Sequence, residues 1–334
     1  MRSVAIFLLT SVLASAAEHQ LKAKPENIAW GYYWSDAKPV LRVKSGDVVE
    51  IQTVSGNPMN LERAGLKLDD IQPELRAVNN GVPRDARGPG GHILTGPVFI
   101  EGAMPGDVLE VRILEIKMDV PYAYNSFRPG AGFLPEDFKE ARTKIIPLDR
   151  ERKLGRFGPG LDIPLKPFFG SMGVAPPESM GKVNSAPPGI HAGNLDNKEL
   201  VAGTTLFIPV HAAGALFEVG DGHAGQGNGE VDITAMETSL TGTFQFVVRK
   251  DMKLKWPRAE TPTHYITMGL DPDLTEATKI AVRETLDFLV TEKKFTREDA
   301  YMFTSVAIDF AITQLVDGTK GVHAMIAKSL FGRR

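Results

Sequence analysis

The chain has 334 residues, no cysteine, and a formal net charge of −3 from 38 basic and 41 acidic residues. The lack of cysteine excludes disulfide bonds, thiolate metal ligands and a cysteine nucleophile. The near-balance of charge excludes the basic surface that nucleic-acid binding requires, so we expect a small-molecule partner and no nucleic acid. A chain of this length can bury a large core without covalent cross-links.

The first 16 residues have the three parts of a secretory signal peptide. Arg2 supplies the positive charge, residues 4–13 form an apolar segment, and Ala14-Ser15-Ala16 is a small-residue cleavage site. We therefore predict a signal peptide over 1–16, export to a secreted, periplasmic or other secretory-pathway compartment, and a mature chain over 17–334. No later segment has the roughly 18–20 apolar residues of a spanning helix, so we expect no membrane association of the mature form.

Short stretches of alternating apolar and polar residues predict strands. In residues 107–116, for example, Leu109, Val111 and Ile113 are separated by Glu110 and Arg112. Many such stretches between Gly and Pro turns predict a mainly β (α+β) fold, with antiparallel sheets packed as a sandwich or barrel. The predicted strands are 41–52, 98–101, 107–116, 204–210, 216–219 and 241–248.

Residues 121–188 are rich in proline and in Pro-Gly pairs, which break regular structure. The segment also keeps buried-type side chains such as Phe168 and Phe169, which a disordered linker lacks. We interpret it as an ordered-loop region that wraps the site.

Helical periodicity appears only near the C-terminus. Apolar residues recur on one stripe from Asp273 to Lys293, and Thr296 with Asp299 predicts the cap of a second helix that ends at Gly318. We expect an antiparallel helix pair over about 273–318, packed on a sheet, with Asp309 facing solvent. The predicted buried face of the second helix consists of Phe303, Val306, Ala307, Phe310 and Ala311.

The most informative segment is Gly220-Asp-Gly-His-Ala-Gly-Gln-Gly-Asn-Gly-Glu230, because it places Asp221, His223, Gln226 and Glu230 among glycines. Its start matches the dinucleotide pattern Gly-x-Gly-x-x-Gly, but the continuing glycines allow no helix there. Residues 212–248 also contain no Lys or Arg to hold phosphate. The remaining interpretations are a tight hairpin turn and, as the favoured one, a polar or metal-binding site.

A second polar cluster follows Pro187-Pro188-Gly189, in His191-Ala-Gly-Asn-Leu-Asp196. If this segment enters a strand, Asn194 and Asp196 project to the same face, as would Asp221 and His223. Two such pairs offer oxygen and nitrogen ligands to Zn²⁺ or to a harder divalent ion, although the spacing matches no standard zinc motif.

Several motifs in order resemble the acetamidase/formamidase family. The core ones are Gly-Asn-Leu-Asp (193–196), Phe-Ile-Pro-Val (207–210), Gly-Ala-Leu-Phe (214–217) and the segment 220–230. Further ones are Leu-Thr-Gly-Pro (94–97) after His92, Glu-Gly-Ala-x-Pro-Gly-Asp (101–107), Gly-x-Met-Gly-Val-Ala-Pro (170–176) and a helical tail over 300–316. The resemblance covers about residues 40–330.

The resemblance implies a β-rich amidohydrolase over 17–334 that cleaves short aliphatic amides, such as formamide and acetamide, to a carboxylate and ammonia. It also implies a divalent metal in some members and makes a homo-oligomer plausible. Two departures stand out: Asn228 replaces the family's usual Asp, and Ala192 its usual Gly. Export is less typical of the family.

We hypothesise that a metal activates water for attack on the amide carbonyl, with Zn as the first choice and Ca or Mn as alternatives. A carboxylate then acts as general base, and backbone N–H groups of the glycine segment stabilise the oxyanion. The candidate metal ligands are His223, Asp221, Asp196, His92 and His191; the catalytic candidates are Glu230, Asp196 and Glu237; the substrate or oxyanion candidates are Asn194, Gly222 and Gln226.

Other interpretations stay open. A Ser-His-Asp mechanism needs no fixed motif, although the chain has no Gly-x-Ser-x-Gly elbow. An exported protein that keeps the pocket and binds a small molecule without turnover is the non-enzymatic alternative. Asn194 and Asp196 also suit turn capping, His92 and His191 suit structural hydrogen bonds, and we expect His211 to be structural.

Overall fold

The computed structural model describes residues 17–332, so the predicted signal peptide lies outside the described residues. The first half of the described chain contains strands β1 Glu18–Leu21, β2 Ile28–Trp30, β3 Tyr32–Tyr33, β4 Leu41–Lys44, β5 Val48–Gln52, β6 Ile93–Glu101, β7 Val108–Met118, β8 Tyr122–Phe127, β9 Arg142–Asp149, β10 Leu154–Gly158 and β11 Leu161–Pro164, with helices α1 Pro58–Arg63 and α2 Pro73–Gly81. The second half contains β12 Phe168–Gly173, β13 Val183–Asn184, β14 Ala192–Asn194, β15 Thr205–Pro209, β16 Phe217–His223, β17 Leu240–Arg249, β18 Arg258–Glu260, β19 His264–Asp271, α3 Leu274–Lys293, α4 Arg297–Ala307, β20 Asp309–Gln314 and β21 Lys320–Ala327. Short 3-10 helices cover Pro25–Asn27, Leu68–Asp70, Arg84–Ala86, Glu178–Met180 and Lys328–Phe331.

The strands form two large sheets. One has nine strands in the order β1-β5-β17-β7-β15-β18-β19-β21-β20. The other has the order β14-β12-β16-β6-β2, with β4 paired to β6. Pairing of these strands is antiparallel except between β1 and β5 and between β4 and β6. Strands β8 to β11 make a smaller sheet, and β3 pairs with β13.

An aromatic core joins the two large sheets. Phe169 and Phe217 come from the sheet that contains β12 and β16, and Phe244 and Phe246 come from the nine-stranded sheet. All four are fully buried. Ring centroids lie 5.5 Å apart for Phe169 and Phe244, and 4.9 Å apart for Phe217 and Phe246. Because such rings bury large apolar areas, this contact explains the face-to-face packing and confirms the predicted sandwich.

The alternating stretches all lie in strands. The stretch 41–52 divides at Gly46, whose φ of +101° makes a sharp turn, so β4 joins one large sheet and β5 the other. The predicted strand 216–219 extends further, because β16 continues through the glycines to His223.

The proline-rich segment is more regular than predicted, since it contains strands β8 to β13. Proline is tolerated there because it lies at positions where the strand needs no backbone N–H to bond its neighbour. Pro147 precedes Leu148 and Asp149, the two residues of β9 that pair with β10. Pro164 is the last residue of the edge strand β11.

The C-terminal helices begin as predicted. The Asp273 carboxylate accepts from the backbone N–H of Thr275 at 2.7 Å, and the Thr296 hydroxyl accepts from that of Asp299 at 3.1 Å. Such caps satisfy donors that the first helical turn leaves free. Helix α3 packs on β19 and β21 and contacts α4. Within 17–332, the helices are all too short or too polar to cross a bilayer.

The predicted end of the second helix is wrong. Helix α4 ends at Ala307, and Phe310 and Ala311 belong to β20, which forms a hairpin with β21. Val306, predicted to be buried, is 82% exposed. The apolar residues after Ala307 fit the period of a helix as well as that of a strand. The segment forms a strand because it pairs with β21, and this tertiary contact overrides the local periodicity. Asp309 is exposed as predicted, but at the start of that strand.

Candidate metal centre

Three neighbouring strands of one sheet, β14, β12 and β16, bring the two polar clusters together. In the register, Asn194 of β14 lies opposite Ser171 of β12, and His223 of β16 lies opposite Phe168. Between them, Gly170 has no side chain: a Cβ there would lie 2.5 Å from both Asp196 Oδ1 and Asp221 Oδ2. The missing side chain leaves the space in which the carboxylates meet.

Six ionisable side chains converge at this point, and we call them the acidic cluster. Their ligand atoms lie within 4.8 Å of one another in three overlapping groups. The groups are Asp196, Asp221 and His223; His223, Glu230 and Glu237; and Asp196, Glu230 and Asp317.

His223 lies at the centre of the acidic cluster and is fully buried. Its Nε2 is 3.2 Å from Glu237 Oε1 and 3.4 Å from Asp221 Oδ2. His92 approaches from the other side, with Nε2 3.8 Å from Asp221 Oδ2. The Nδ1 of His92 lies 2.9 Å from the Ser185 hydroxyl, which fixes the direction of the ring.

Several buried polar atoms of the acidic cluster have no hydrogen-bond partner among the described residues. They are Asp196 Oδ1, Glu230 Oε2 and both ring nitrogens of His223. Most buried polar atoms in proteins are paired, and an unpaired one costs about 1–3 kcal/mol, so this concentration requires a physical reason. A bound cation would provide a partner for the two carboxylate oxygens and for one of the two His223 nitrogens, since the nitrogens of one imidazole point in different directions.

The carboxyl groups resist ionisation together. Burial, together with the charges of Glu230 and Asp221, raises the pKa of Asp196 well above its usual range. Burial with the charges of Asp317 and Glu237 does the same to the pKa of Glu230, and burial raises the pKa of Asp317 to about 6. Like charges in a site of low polarity cannot all ionise without a counter-charge.

His223 and Asp221 form the oppositely charged part of the site. Burial would lower the pKa of His223, but the negative charges of Glu237 and Asp221 raise it well above its usual value. Burial would raise the pKa of Asp221, and the charges of His223 and His92 hold it well below the usual range.

Strained backbone positions four of the carboxylates. The φ angles are +48° at Asp196, +56° at Asp221, +43° at Glu230 and +60° at Asp317, all in the left-handed region. Residues with a Cβ seldom adopt this conformation, and when they do they concentrate at functional sites.

Two amide side chains hold the carboxylates in place. The Asn194 amide donates to Asp196 Oδ2 at 2.6 Å and to Asp317 Oδ2 at 3.3 Å, and the Gln226 amide donates to the Asp196 carbonyl at 2.8 Å. The third predicted substrate contact, Gly222, lies inside β16, where its carbonyl accepts from the backbone N–H of Thr238. The structure therefore places Asn194 and Gln226 as supports of Asp196.

Glu237 reaches the acidic cluster from a short segment alongside β8. The backbone N–H of Ala235 donates to its Oε1 at 2.9 Å, and the Ser55 hydroxyl donates to Oε2 at 3.5 Å. Ser55 also lies 3.3 Å from the Tyr124 hydroxyl. These contacts aim the Glu237 carboxylate at His223 and at the space above it.

A cleft of about 470 Å³ opens onto the acidic cluster. Asp221, Glu237, Asp317 and His92 line it, whereas the buried Asp196 and His223 do not, and Glu230 lines a separate cleft. The cleft therefore exposes part of the acidic cluster to a ligand.

Three residues that the sequence analysis named lie elsewhere. His191 is outside the groups that converge on His223; it is buried against Tyr33, with ring centroids 5.2 Å apart, and burial with the nearby His211 lowers its pKa to about 4. His211 lies 3.2 Å from the Ile190 carbonyl, as expected of a structural histidine. Asn228 is exposed in the loop after β16, and none of the converging groups includes it.

Sequence reasoning missed Asp317 and the role of Gly170. Asp317 lies in the turn between β20 and β21, where the sequence predicted the end of a helix. The neighbouring Gly318, with φ +79°, marks that turn and was available as a signal. In the sequence, Gly170 stands out only as part of a motif. Its role is to leave space for the carboxylates, and a glycine has no functional side-chain group that would indicate this.

The residues present fit a divalent cation. Three features support this: the unpaired buried atoms, the space at Gly170, and a donor set of one imidazole with several carboxylates. Zn²⁺ accepts histidine and carboxylate ligands, and harder ions such as Mn²⁺ and Ca²⁺ favour carboxylates.

Comparison with known proteins gives a consistent result. Residues 18–186 and 178–331 match the model of the acetamidase/formamidase family. The formamidase of Methylophilus methylotrophus is 28% identical over 191 residues, 42% of this chain and 47% of that protein. The chain spans about half the length of the curated relatives it matches, between 47% and 55%.

Two crystal structures extend the likeness to the whole chain. An acetamidase from Bacillus halodurans is 30% identical with a TM-score of 0.78, over 93% of this chain and 98% of that one. An acetamidase from Yersinia enterocolitica is 26% identical with a TM-score of 0.82, over 96% and 95% of the two chains.

Proposed function

This chain belongs to the acetamidase/formamidase family, and we propose that it hydrolyses linear amides to a carboxylate and ammonia. The observation that carries the proposal is the acidic cluster: buried carboxylates and His223, with unpaired ligand atoms, at the base of a cleft. In the reaction the C–N bond breaks, the water oxygen bonds to the carbonyl carbon, and the nitrogen leaves as ammonia.

We propose that Asp196, Asp221, His223 and Glu230 hold a divalent metal, with Zn²⁺ first and Mn²⁺ or Ca²⁺ as alternatives. When bound, such an ion supplies a Lewis acid and lowers the pKa of its water from 15.7 to about 7. Asn194 donates to Asp196 and to Asp317 and so orients both carboxylates.

Glu237 is the proposed general base. It lines the cleft, its Oε1 is held by the Ala235 N–H, and burial raises its pKa above the usual range. A raised pKa suits a group that takes a proton from water and then gives it to the departing nitrogen. His92, which also faces the cleft, is positioned by Ser185 to share that proton transfer.

Among residues 17–332, Ser185 is the candidate nucleophile for a serine mechanism. Ser185, His92 and Asp221 are in contact in that order, as in a Ser-His-Asp triad. Ser185 is, however, fully buried and does not line the cleft, so its oxygen has no access to a substrate carbonyl. The arrangement supports Ser185 as a positioning residue for His92.

The test is ammonia release from formamide, acetamide and propionamide by the metal-loaded protein, compared with a Glu237→Gln variant. We expect Glu237→Gln to lower kcat by about 10²–10⁴-fold with bound metal retained, the usual contribution of a general base. Glu218→Gln is the matched control, since Glu218 is an equally buried glutamate outside the acidic cluster.

Other outcomes separate the alternatives. Full activity of Glu237→Gln would remove Glu237 from the mechanism. Amide binding without ammonia release by the metal-loaded wild type would favour the binding-protein alternative. Activity that resists chelation and is lost on treatment with a serine-directed phosphonate would restore the serine mechanism.

We also propose that the chain is exported and cleaved after Ala16. The backbone nitrogen of Ala17 lies 3.1 Å from Asp47 Oδ1, and cleavage would turn that nitrogen into an α-ammonium group paired with Asp47. We expect the protein recovered from the culture medium or periplasm to have the intact mass of a chain that begins at Ala17.

Self-association also stays a prediction. Sedimentation analysis measures the oligomeric state and checks it.

A further inference from the structure

The cleft is much larger than the smallest amides require. Its volume is about 470 Å³. Acetamide has four heavy atoms and occupies the space of about three to four water molecules, on the order of 100 Å³ at about 30 Å³ per water. A pocket of this size would leave most of its lining unused by acetamide.

Charge is unevenly distributed along the lining. Asp221, Glu237 and Asp317 lie where the acidic cluster opens into the cleft. Of the described residues that line the cleft, Arg128 alone carries a permanent positive charge. It forms no ion pair within the described chain, so its guanidinium is free to bind an anion.

The geometry of β8 separates the two charged parts. Tyr124 pairs with Glu237 across a β-bridge, and the chain then runs through Ser126 and Phe127 to Arg128. Four residues of extended chain cover about 13 Å, so the backbone of Arg128 is well removed from the acidic cluster. Ser126 and Thr143, paired in the register, line the cleft along this path.

The walls between the two parts suit methylene groups. Leu61, Ile93 and Ile233 line the cleft together with the Trp30 ring. The cleft therefore offers an acidic end, an apolar wall and a single cation.

We propose that the preferred substrate is an amide whose acyl chain ends in a carboxylate, such as the monoamide of a four- to seven-carbon dicarboxylic acid. The amide group lies at the acidic cluster, and the carboxylate pairs with Arg128, whose planar guanidinium matches it in a two-bond contact. This inference rests on the proposed amidase function.

The first test compares kcat/KM for a series of dicarboxylic monoamides with that for acetamide and for neutral amides of equal length. Because Arg128 is exposed, we expect the anionic amides to exceed neutral ones of equal length by about twofold to fivefold, the range for an exposed ion pair. Arg128→Gln should abolish that preference. Arg142→Gln is the matched control, because Arg142 pairs with Phe127 on the neighbouring strand and does not line the cleft.

The second test measures binding apart from turnover. Trp30 lines the cleft, so a dicarboxylic monoamide should change the intrinsic fluorescence of the full-length protein, and Trp30→Phe should remove that change. We expect Arg128→Gln to weaken this binding about twofold to fivefold and Arg142→Gln to leave it unaltered.

The outcomes are distinct. Turnover of acetamide with no preference for anionic amides would overturn this inference and leave the proposed function standing. Binding that depends on Arg128, without ammonia release from any amide, would support the contact between Arg128 and a carboxylate but would overturn the proposed function, and with it the assignment of a substrate. Binding equal in wild type and Arg128→Gln would overturn the inference.

Discussion

The aromatic core and the acidic cluster share two strands, β12 and β16, but differ in how their buried side chains are paired. Phe169 and Phe217 fill the core, where every surface meets another apolar surface. Gly170 and Asp221, on the same strands, border unpaired buried atoms and strained backbone. The core stabilises the fold, and the stability it provides permits a neighbouring site that is unfavourable by itself until a cation binds.

The largest expected effect is on the core. Phe244→Ala removes a fully buried ring that contacts Phe169 and Phe217 and should lower the free energy of unfolding by about 3–5 kcal/mol. Denaturant unfolding measures the loss, with Phe133→Ala, at a half-exposed loop residue, as control. Activity per folded molecule at low temperature should be retained; its collapse would show that the two regions are not separable.

Gly170→Ala should reduce activity and metal binding more than stability, the opposite of Phe244→Ala. Its new Cβ, 2.5 Å from two carboxylate oxygens, displaces the ligands of the acidic cluster and should reduce kcat/KM by about 100-fold. Bound metal, measured by elemental analysis, should fall in parallel, with a smaller loss of stability than in Phe244→Ala. Gly158→Ala on β10, where a Cβ meets only Leu161 at 3.7 Å, is the control; equal loss in both variants would contradict the assignment.

A third prediction concerns Asp119, a partly buried carboxylate outside the acidic cluster. It accepts from the Thr241 hydroxyl at 2.9 Å, and burial raises its pKa to about 6. Because the folded pKa exceeds the unfolded one, its favourable contribution is present below about pH 4 and is lost as pH rises to 6. Asp119→Asn should therefore stabilise the protein at pH 8 by about 1 kcal/mol, after allowance for solvent screening.

The measurement is unfolding of Asp119→Asn and wild type at pH 8 and at pH 4, where the gain should vanish. An equal gain at both pH values would show that charge is not the cause.

The smallest expected effect is at Ala192, between the core and the acidic cluster. Ala192 has φ +64°, a conformation that glycine adopts without strain, and its methyl group is buried. Ala192→Gly gains the relief of strain and loses methyl packing and chain entropy, so we expect a net stabilisation of about 0.5 kcal/mol. A loss above about 1 kcal/mol in thermal unfolding would show that the methyl packing dominates.

The sandwich was predictable because one face of most strands is buried, which leaves a two-residue period in the sequence. Strand β12 was not predicted, because Phe168–Gly173 is buried on both sides and has no such period. The predicted end of α4 was wrong for a related reason. The residues that follow Ala307 pair with β21, and a local pattern contains no information about that partner.

The candidate site was predictable where chemistry and spacing coincide. Asp221, His223 and Glu230 lie within one glycine-rich segment, and Asp196 lies in the second predicted cluster; the structure brings all four together. Asp317 comes from a distant hairpin, which no local pattern connects to them. His191 has the right chemistry, but it packs on Tyr33 away from the acidic cluster.

The left-handed backbone at Asp196, Asp221 and Asp317 has an evolutionary consequence. Asparagine is the side-chain-bearing residue that best tolerates this conformation, and it has nearly the shape of aspartate. Asp-to-Asn replacements at these positions would therefore keep the chain folded while removing the charges a cation needs. Gene duplicates of this protein have a short route to folded, catalytically silent descendants.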